Sequence, residues 1–275
     1  MASSAAAGTI TRRHRPALRP LPALALAIAA LCSAATMPAA QQCRQALALG
    51  LDVSLSVDPA EFRLQREGLA RALLDDAVVN ALLTHSQAHV ELAVFEWSSA
   101  YEQALVVDWT PVESRQALAG IARLLTDTPR VGRLGRTALG AAMRFGHDML
   151  RRRPGCTRRT LDMSGDGLSN TGPDPASVRA AMEAARITVN GLVIGRAPGT
   201  PGSGEVDIRR LSRYFRDNVI AGPSAFVESV QGFAAYEAAM RRKLLRELAP
   251  AVAASPPAGL PRATAALHPP PARRR

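Results

Sequence analysis

Asp52, Ser54 and Ser56 occupy every second position at the end of the stretch Leu47–Ser56, with Val53 and Leu55 between them. In an extended chain such side chains share one face. A carboxylate and two hydroxyls can therefore converge just beyond the end of a strand. A donor set made only of oxygens suits a hard divalent cation, which takes carboxylate, hydroxyl and water ligands. Taken alone, Asp-x-Ser-x-Ser fits equally well a strand end whose hydroxyls cap the next helix. Two later segments add donors of the same kind. Thr137 follows the Gly- and Arg-rich run Thr126–Arg136, and Asp166 sits in the turn Ser164-Gly165-Asp166-Gly167.

These residues must be positioned by the elements around them. Residues 46–51 form an apolar run that reads as a buried strand. Pro59–Leu74 reads as a helix with Pro at an early position, where its missing N–H costs nothing. Val90–Phe95 and Leu105–Trp109 are strands whose connection is too short for a crossover helix, so they pair antiparallel. A helix runs from Glu113 or Ser114 to Leu125, and another over 138–153, which places Thr137 at a helix N-terminus, exposed at a loop tip. Arg158–Ser164 is a fourth strand, Ala176–Arg186 a helix, and Ile187–Ile194 a fifth strand. A short helix at Asp207–Arg216, a sixth strand near Ala225–Val230 and an amphipathic helix at Phe233–Leu248 follow. Alternating strands and helices with buried strands predict an α/β fold, a doubly wound, mostly parallel sheet with one antiparallel edge strand. Ligands of such sheets sit outside the carboxyl ends of the strands. Asp52, Ser54, Ser56, Thr137 and Asp166 all map to that edge.

The chain has 275 residues, 47% of them hydrophobic, enough for one domain of ordinary size with tails. Residues 1–40 read as an export signal. Arg12, Arg13, Arg15 and Arg19 precede the apolar core Leu21–Ala35, and small residues around Ala39 and Ala40 offer a cleavage site. The apolar core is short for a membrane span, which needs about 20 residues; an uncleaved anchor is the alternative. The expectation is a periplasmic or secreted protein with no transmembrane segment in the mature chain. The segment 249–275, rich in Pro, Ala and Arg, reads as a disordered tail. The formal net charge is +11, but each end carries four arginines and no acid, so the body between them carries +3. That balance argues against a nucleic-acid partner, which calls for a concentrated basic face. Lys243 is the one lysine of the chain.

Asp52-Val-Ser-Leu-Ser56, Thr137 and the Ser-Gly-Asp-Gly turn together resemble the metal-ion-dependent adhesion site of von Willebrand factor type A domains. The phrases LDVSLSVDPAEFRLQREGLA, VFEWSS, LDMSGDGLSNTG, ITVNGLVI and YFRDNVIAGPSAFV are similar to a bacterial family of exported proteins of unknown function with that fold. The resemblance covers residues 43–248. It implies that Ser54, Ser56 and Thr137 give hydroxyl ligands to Mg²⁺ or Mn²⁺, with Asp52 and Asp166 acting mostly through bound waters. It also implies that the cation, left electrophilic, takes a carboxylate from an acidic side chain of a partner protein. In that fold the first and fourth strands are parallel neighbours. Cys43 and Cys156 precede Asp52 and Asp166 by nearly equal distances, so a Cys43–Cys156 disulfide at the opposite edge is expected.

Two other functions compete with an adhesion-type module. A metal-dependent phosphoester hydrolase would want a second carboxylate near Asp52, where Ser54 stands instead, and His85, His89 and His147 lack triad or zinc spacing. A structural module with an empty metal site is the other alternative. A non-enzymatic reading fits the residues best. Arg130, Arg133 and Arg136, just before Thr137, are candidates for a partner-facing positive rim. Asp162, inside the fourth strand, requires a partner and is expected to pair with an Arg or with hydroxyls.

Overall fold

The computed structural model describes residues 42–84, 88–130, 135–196 and 208–249. The export-signal reading for 1–40, the tail beyond Ala249 and Arg133 lie outside the described residues. Strand β1 is Gln42–Asp52, β2 Ala88–Trp97, β3 Gln103–Val112, β4 Arg158–Gly165, β5 Thr188–Gly195 and β6 Val227–Gln231. They form one sheet in the order β3-β2-β1-β4-β5-β6. Every neighbouring pair is parallel except β2 with β3, where the short Ser98–Glu102 connection turns the chain straight back. The strand order reverses between β1 and β4, which places the crevice of a doubly wound sheet there.

Helices cover both faces. On one lie α1 (Pro59–Leu74), α2 (Asp76–Leu83), α3 (Arg115–Asp127) and α7 (Tyr236–Leu248); on the other lie α4 (Leu139–Arg151), α5 (Pro175–Ala184) and α6 (Ile208–Asn218). The alternation along β1 explains the asymmetry of the two layers. Leu47, Leu49 and Leu51 point into the first core, whereas Ala46 and Ala48 point into the second. Gly50 continues the small series, and a Cβ there would meet Phe95 Cζ at 2.7 Å. On α4, a Cβ on Gly146 would lie 2.5 Å from Leu161 Cδ1, so the helix sits close on the sheet.

Local signals set the helix starts. Asp58 caps α1 in a reciprocal capping box with Glu61, with Pro59 in the first turn. Ser114 caps α3. The sequence expectation omitted α2. It is short, contains the β-branched pair Val78–Val79, and starts at Asp75, the residue that ends α1.

Cys43 and Cys156 are joined by a disulfide, with Cα atoms 4.5 Å apart. It closes the amino ends of β1 and β4, where Thr157 N also donates to Cys43 O at 3.0 Å.

Candidate metal centre

The structure brings all five oxygen-bearing residues to the carboxyl edge at the β1–β4 crevice. Asp52 is the last residue of β1 and is fully buried. Its Oδ1 accepts from the Ser54 backbone N–H at 2.8 Å, so the chain turns immediately and carries Ser54 and Ser56 across the strand end. Ser54 Oγ and Ser56 Oγ are 3.0 Å apart, and Ser56 Oγ donates to Asp166 Oδ1 at 2.6 Å. Thr137 joins from the α4 side: a Cβ placed on Gly167 would lie 3.6 Å from Thr137 Oγ1. Thr137 is held in place by Asn170, whose Oδ1 accepts from Thr137 N at 3.0 Å and whose N donates to Thr137 O at 2.8 Å. The expected position of Thr137 just before a helix holds, but its exposure does not. It is buried, because the Asn170 turn and the β2–β3 hairpin close over it.

Two carboxylates share this enclosed space. Burial and the charge of Asp166 together push the Asp52 carboxyl up to about 7. Burial also raises Asp166, against the opposing pull of the Ser56 hydroxyl and Arg196. Asp52 Oδ2 is buried without a hydrogen-bond partner among the described residues. Such an orphan is costly unless something positive or protic meets it. A divalent cation would supply that, and the oxygen-only donor set from three segments fits a hard ion.

The support behind the site escaped the sequence reading. Gln65 Nε2 donates to the Asp52 carbonyl at 2.9 Å, fixing the strand end to α1. Next to it, buried Arg66 pairs with Glu96 at 2.6 Å and donates to the Leu125 carbonyl at 2.7 Å. The available signal was Glu96 alone, a carboxylate inside the apolar run of β2; Arg66 sits between Gln65 and Glu67 in α1, where nothing in the sequence marks it as buried. The arginine rim takes a different form from the one expected. Arg130 lies over the Phe62 ring at 4.3 Å and donates to Val57 O, so its guanidinium is packed against α1. Arg136 is exposed, with its backbone N–H on Ser99 Oγ. Beside the site, Leu55 is 70% and Tyr101 96% exposed.

Asp162 pairs with neither an arginine nor a hydroxyl. Its partner is Lys243 on α7, at 2.5 Å, on the far side of the sheet from α4. It takes no part in the candidate metal centre.

Gly140 links this site to the packing of α4. A Cβ there would meet the Pro173 carbonyl oxygen at 2.1 Å, and backbone cannot swing aside as a side-chain tip can. Gly140→Ala is expected to destabilise the fold by about 1–3 kcal/mol, as overpacking does. It is also expected to weaken divalent-ion binding, since Thr137 and Asn170 stand at the two ends of the displaced contact. Urea midpoints with and without Mg²⁺ check both parts.

A mostly parallel sheet ordered 3-2-1-4-5-6, carrying Asp-x-Ser-x-Ser, Thr and Asp at its switch point, defines a von Willebrand factor type A-like domain. The chain belongs to the family described as protein of unknown function (DUF1194), whose model matches residues 42–252. Solved structures agree on the fold. The pilus adhesin SpaC from Lactobacillus rhamnosus GG aligns with a TM-score of 0.55 at 14% identity, over 75% of this chain and 30% of that one. Proximal thread matrix protein 1 from the mussel byssus aligns at 0.54 and 12% identity, over 75% and 46%. A von Willebrand factor type A protein from Catenulispora acidiphila aligns at 0.52 and 14% identity, over 75% and 43%. The chain thus spans less than half the length of each. The mussel protein has also been solved with a zinc-occupied MIDAS motif. No curated protein matches the chain.

Proposed function

We propose that this chain is an exported, non-enzymatic binding module that uses Mg²⁺ or Mn²⁺ to capture a carboxylate of a partner protein. The observation that carries the reading is the convergence of Asp52, Ser54, Ser56, Thr137 and Asp166, with the orphaned Asp52 oxygen at its floor. Ser54, Ser56 and Thr137 would hold the ion through hydroxyls, and Asp52 and Asp166 through bound waters. Neutral direct ligands leave the ion with affinity for a further anionic ligand. The zinc-occupied motif of the mussel protein supports a divalent ion in this kind of site. The exposed Leu55 and Tyr101 beside it suit a protein partner, since aromatic and apolar anchors carry much of the energy of interfaces. Export is supported by the signal-like first 40 residues and by a disulfide of the kind that persists in oxidising compartments. Among the described residues no helix is long and apolar enough to cross a membrane.

Mg²⁺ or Mn²⁺ is expected to raise the unfolding midpoint, because a ligand bound only by the native state stabilises it by mass action. Asp52→Ala combined with Asp166→Ala should abolish the response, and an unchanged response would sink the assignment. A pull-down from envelope extract, run with Mg²⁺ or with chelator, tests partner capture separately. The captured protein should be lost both on chelation and in the double variant.

A further inference from the structure

The opposite, amino edge of the sheet holds a second cavity, of about 640 Å³, which the metal centre does not use. Its walls include Arg158 and Arg159 at the start of β4, Arg186 before β5, Arg246 near the end of α7, Thr188 and Phe226. Among the described residues none of these four arginines lies within ion-pair distance of a carboxylate. Arg158 and Arg159 are fixed by carbonyls and an amide: Arg158 donates to Ala249 O at 2.9 Å and to Gln45 Oε1 at 2.6 Å, and Arg159 to Ala185 O at 2.7 Å. Arg246 lies over the Phe226 ring at 3.8 Å, which sets its plane, and its fork has no hydrogen-bond partner among the described residues.

The one acid in the wall, Glu247, is already engaged. Its Oε1 accepts from Lys243 at 2.7 Å and from Asn190 at 2.8 Å. Lys243 also meets Asp162, whose carboxyl burial pushes up to about 7, so this buried trio largely neutralises itself. Glu247 also attracts Arg158, so the wall sets four arginines against one carboxylate already shared with Lys243 and Asn190, and it stays net positive. Burial lowers the pKa of Arg158, and Arg44 next to it suffers the same, with Arg158 adding to the effect.

Arg186 is the second, independent observation. It follows the α5 C-cap with φ of 54°, the sole non-glycine residue with positive φ among those described. Glycine is the ordinary choice there, since a side chain in the left-handed region is strained. Strain of this kind persists where the surroundings or the function require a particular side chain. Here the side chain is a guanidinium, placed on the cavity wall.

We propose that this cavity is a binding site for a phosphate-type oxyanion, either a soluble phosphate monoester or a phospholipid headgroup. Arg forks match phosphate geometry through paired N–H donors. Thr188 adds a hydroxyl, and the Phe226 side offers an apolar surface for the rest of the molecule. A part-open hollow of this size suits one small ligand better than the extended backbone of a nucleic acid.

The test uses the full mature chain in EDTA at constant ionic strength, so that the metal centre is silent. Inorganic phosphate is titrated by calorimetry, and vesicles of phosphatidylglycerol or of neutral phosphatidylcholine are used in flotation. Two variants are compared, Arg186→Gly with Arg246→Gln, and Arg130→Gln with Arg136→Gln at the far edge. Glycine relieves the positive-φ strain, so the first variant should keep or raise the unfolding midpoint while losing at least tenfold in phosphate affinity. The second should bind like the wild type. Variant-sensitive flotation with phosphatidylglycerol identifies a headgroup as the source; variant-sensitive phosphate binding without flotation identifies a soluble ester. Binding that survives in the first variant, or no binding of phosphate or vesicles by the wild type, overturns the site.

Discussion

Replacing Cys43 and Cys156 together by serine is expected to lower the unfolding free energy substantially and move the urea midpoint down without changing the folded topology. The bond joins residues 113 apart in sequence. In the chain-entropy account, closing a loop of that length in the unfolded state is worth about 5 kcal/mol, less any native strain. The two strands it joins are already neighbours through seven register pairs, from Gln45↔Arg158 to Leu51↔Ser164. The native sheet therefore needs no rearrangement to lose the bond, and the effect falls on the unfolded ensemble. The bond also lies at the amino edge, whereas Asp52 and Asp166 stand at the carboxyl edge. The double serine variant should accordingly respond to Mg²⁺ as the wild type does at temperatures where it is folded. Peptide mapping without reductant should recover a Cys43–Cys156 cross-link in the wild type. Free thiols in the unfolded, unreduced protein would remove the basis for the prediction, and a midpoint that hardly moves would show that the sheet alone restrains these ends.

Legibility from sequence followed the range over which each signal acts. The convergence of Asp52, Ser54, Ser56 and Asp166 could be read because strand period and strand ends are local. Asp52, Ser54 and Ser56 declare a shared face by spacing alone, and the Gly-Asp-Gly turn marks a second strand end. The α1 start was legible from Pro59, and the structure adds the capping box of Asp58 with Glu61 around it. Apart from the short helix α2, what failed depends on residues far apart in the chain. The closure over Thr137 comes from Asn170 and from the Ser98 carbonyl, neither of which lies near it in sequence. The partner of Asp162 is on α7, after two more strands. Net charge misled in a similar way. A body charge of +3 spread evenly predicts nothing, yet the fold collects Arg44, Arg158, Arg159, Arg186 and Arg246 at one edge, and no composition count contains that information.

Lys243→Met is expected to be the most damaging single substitution away from the metal centre. In a chain whose other basic residues are all arginine, the one lysine is completely buried, 2.5 Å from Asp162 and 2.7 Å from Glu247. A compact ammonium fits between two carboxylates where a planar guanidinium has no room. Burial alone would lower the pKa of Lys243, but the two carboxylates hold it above its ordinary value, so it stays charged. Removing one partner of such a buried group strands the others, at a cost of about 3–5 kcal/mol. The pH dependence gives the trio a signature. The folded Asp162 carboxyl is pushed from 3.8 up to about 7, first by burial and then by Glu247, so between those values the folded state keeps a proton that the unfolded state has released. This group's contribution therefore makes stability fall as pH rises from about 4 to about 7 and level off above. Without the ammonium, the carboxyl should hold its proton to higher pH, and the decline should continue past neutrality. Urea midpoints at pH 5.5 and 8.5 should thus show a larger deficit for Lys243→Met at the higher pH. Adding Asp162→Asn should recover much of that difference by removing the stranded charge. Lys243→Arg, which keeps the charge, should still destabilise by about 1–3 kcal/mol through overpacking. An equal deficit at both pH values would mean that Lys243 contributes packing alone, and that Asp162 finds its compensation elsewhere.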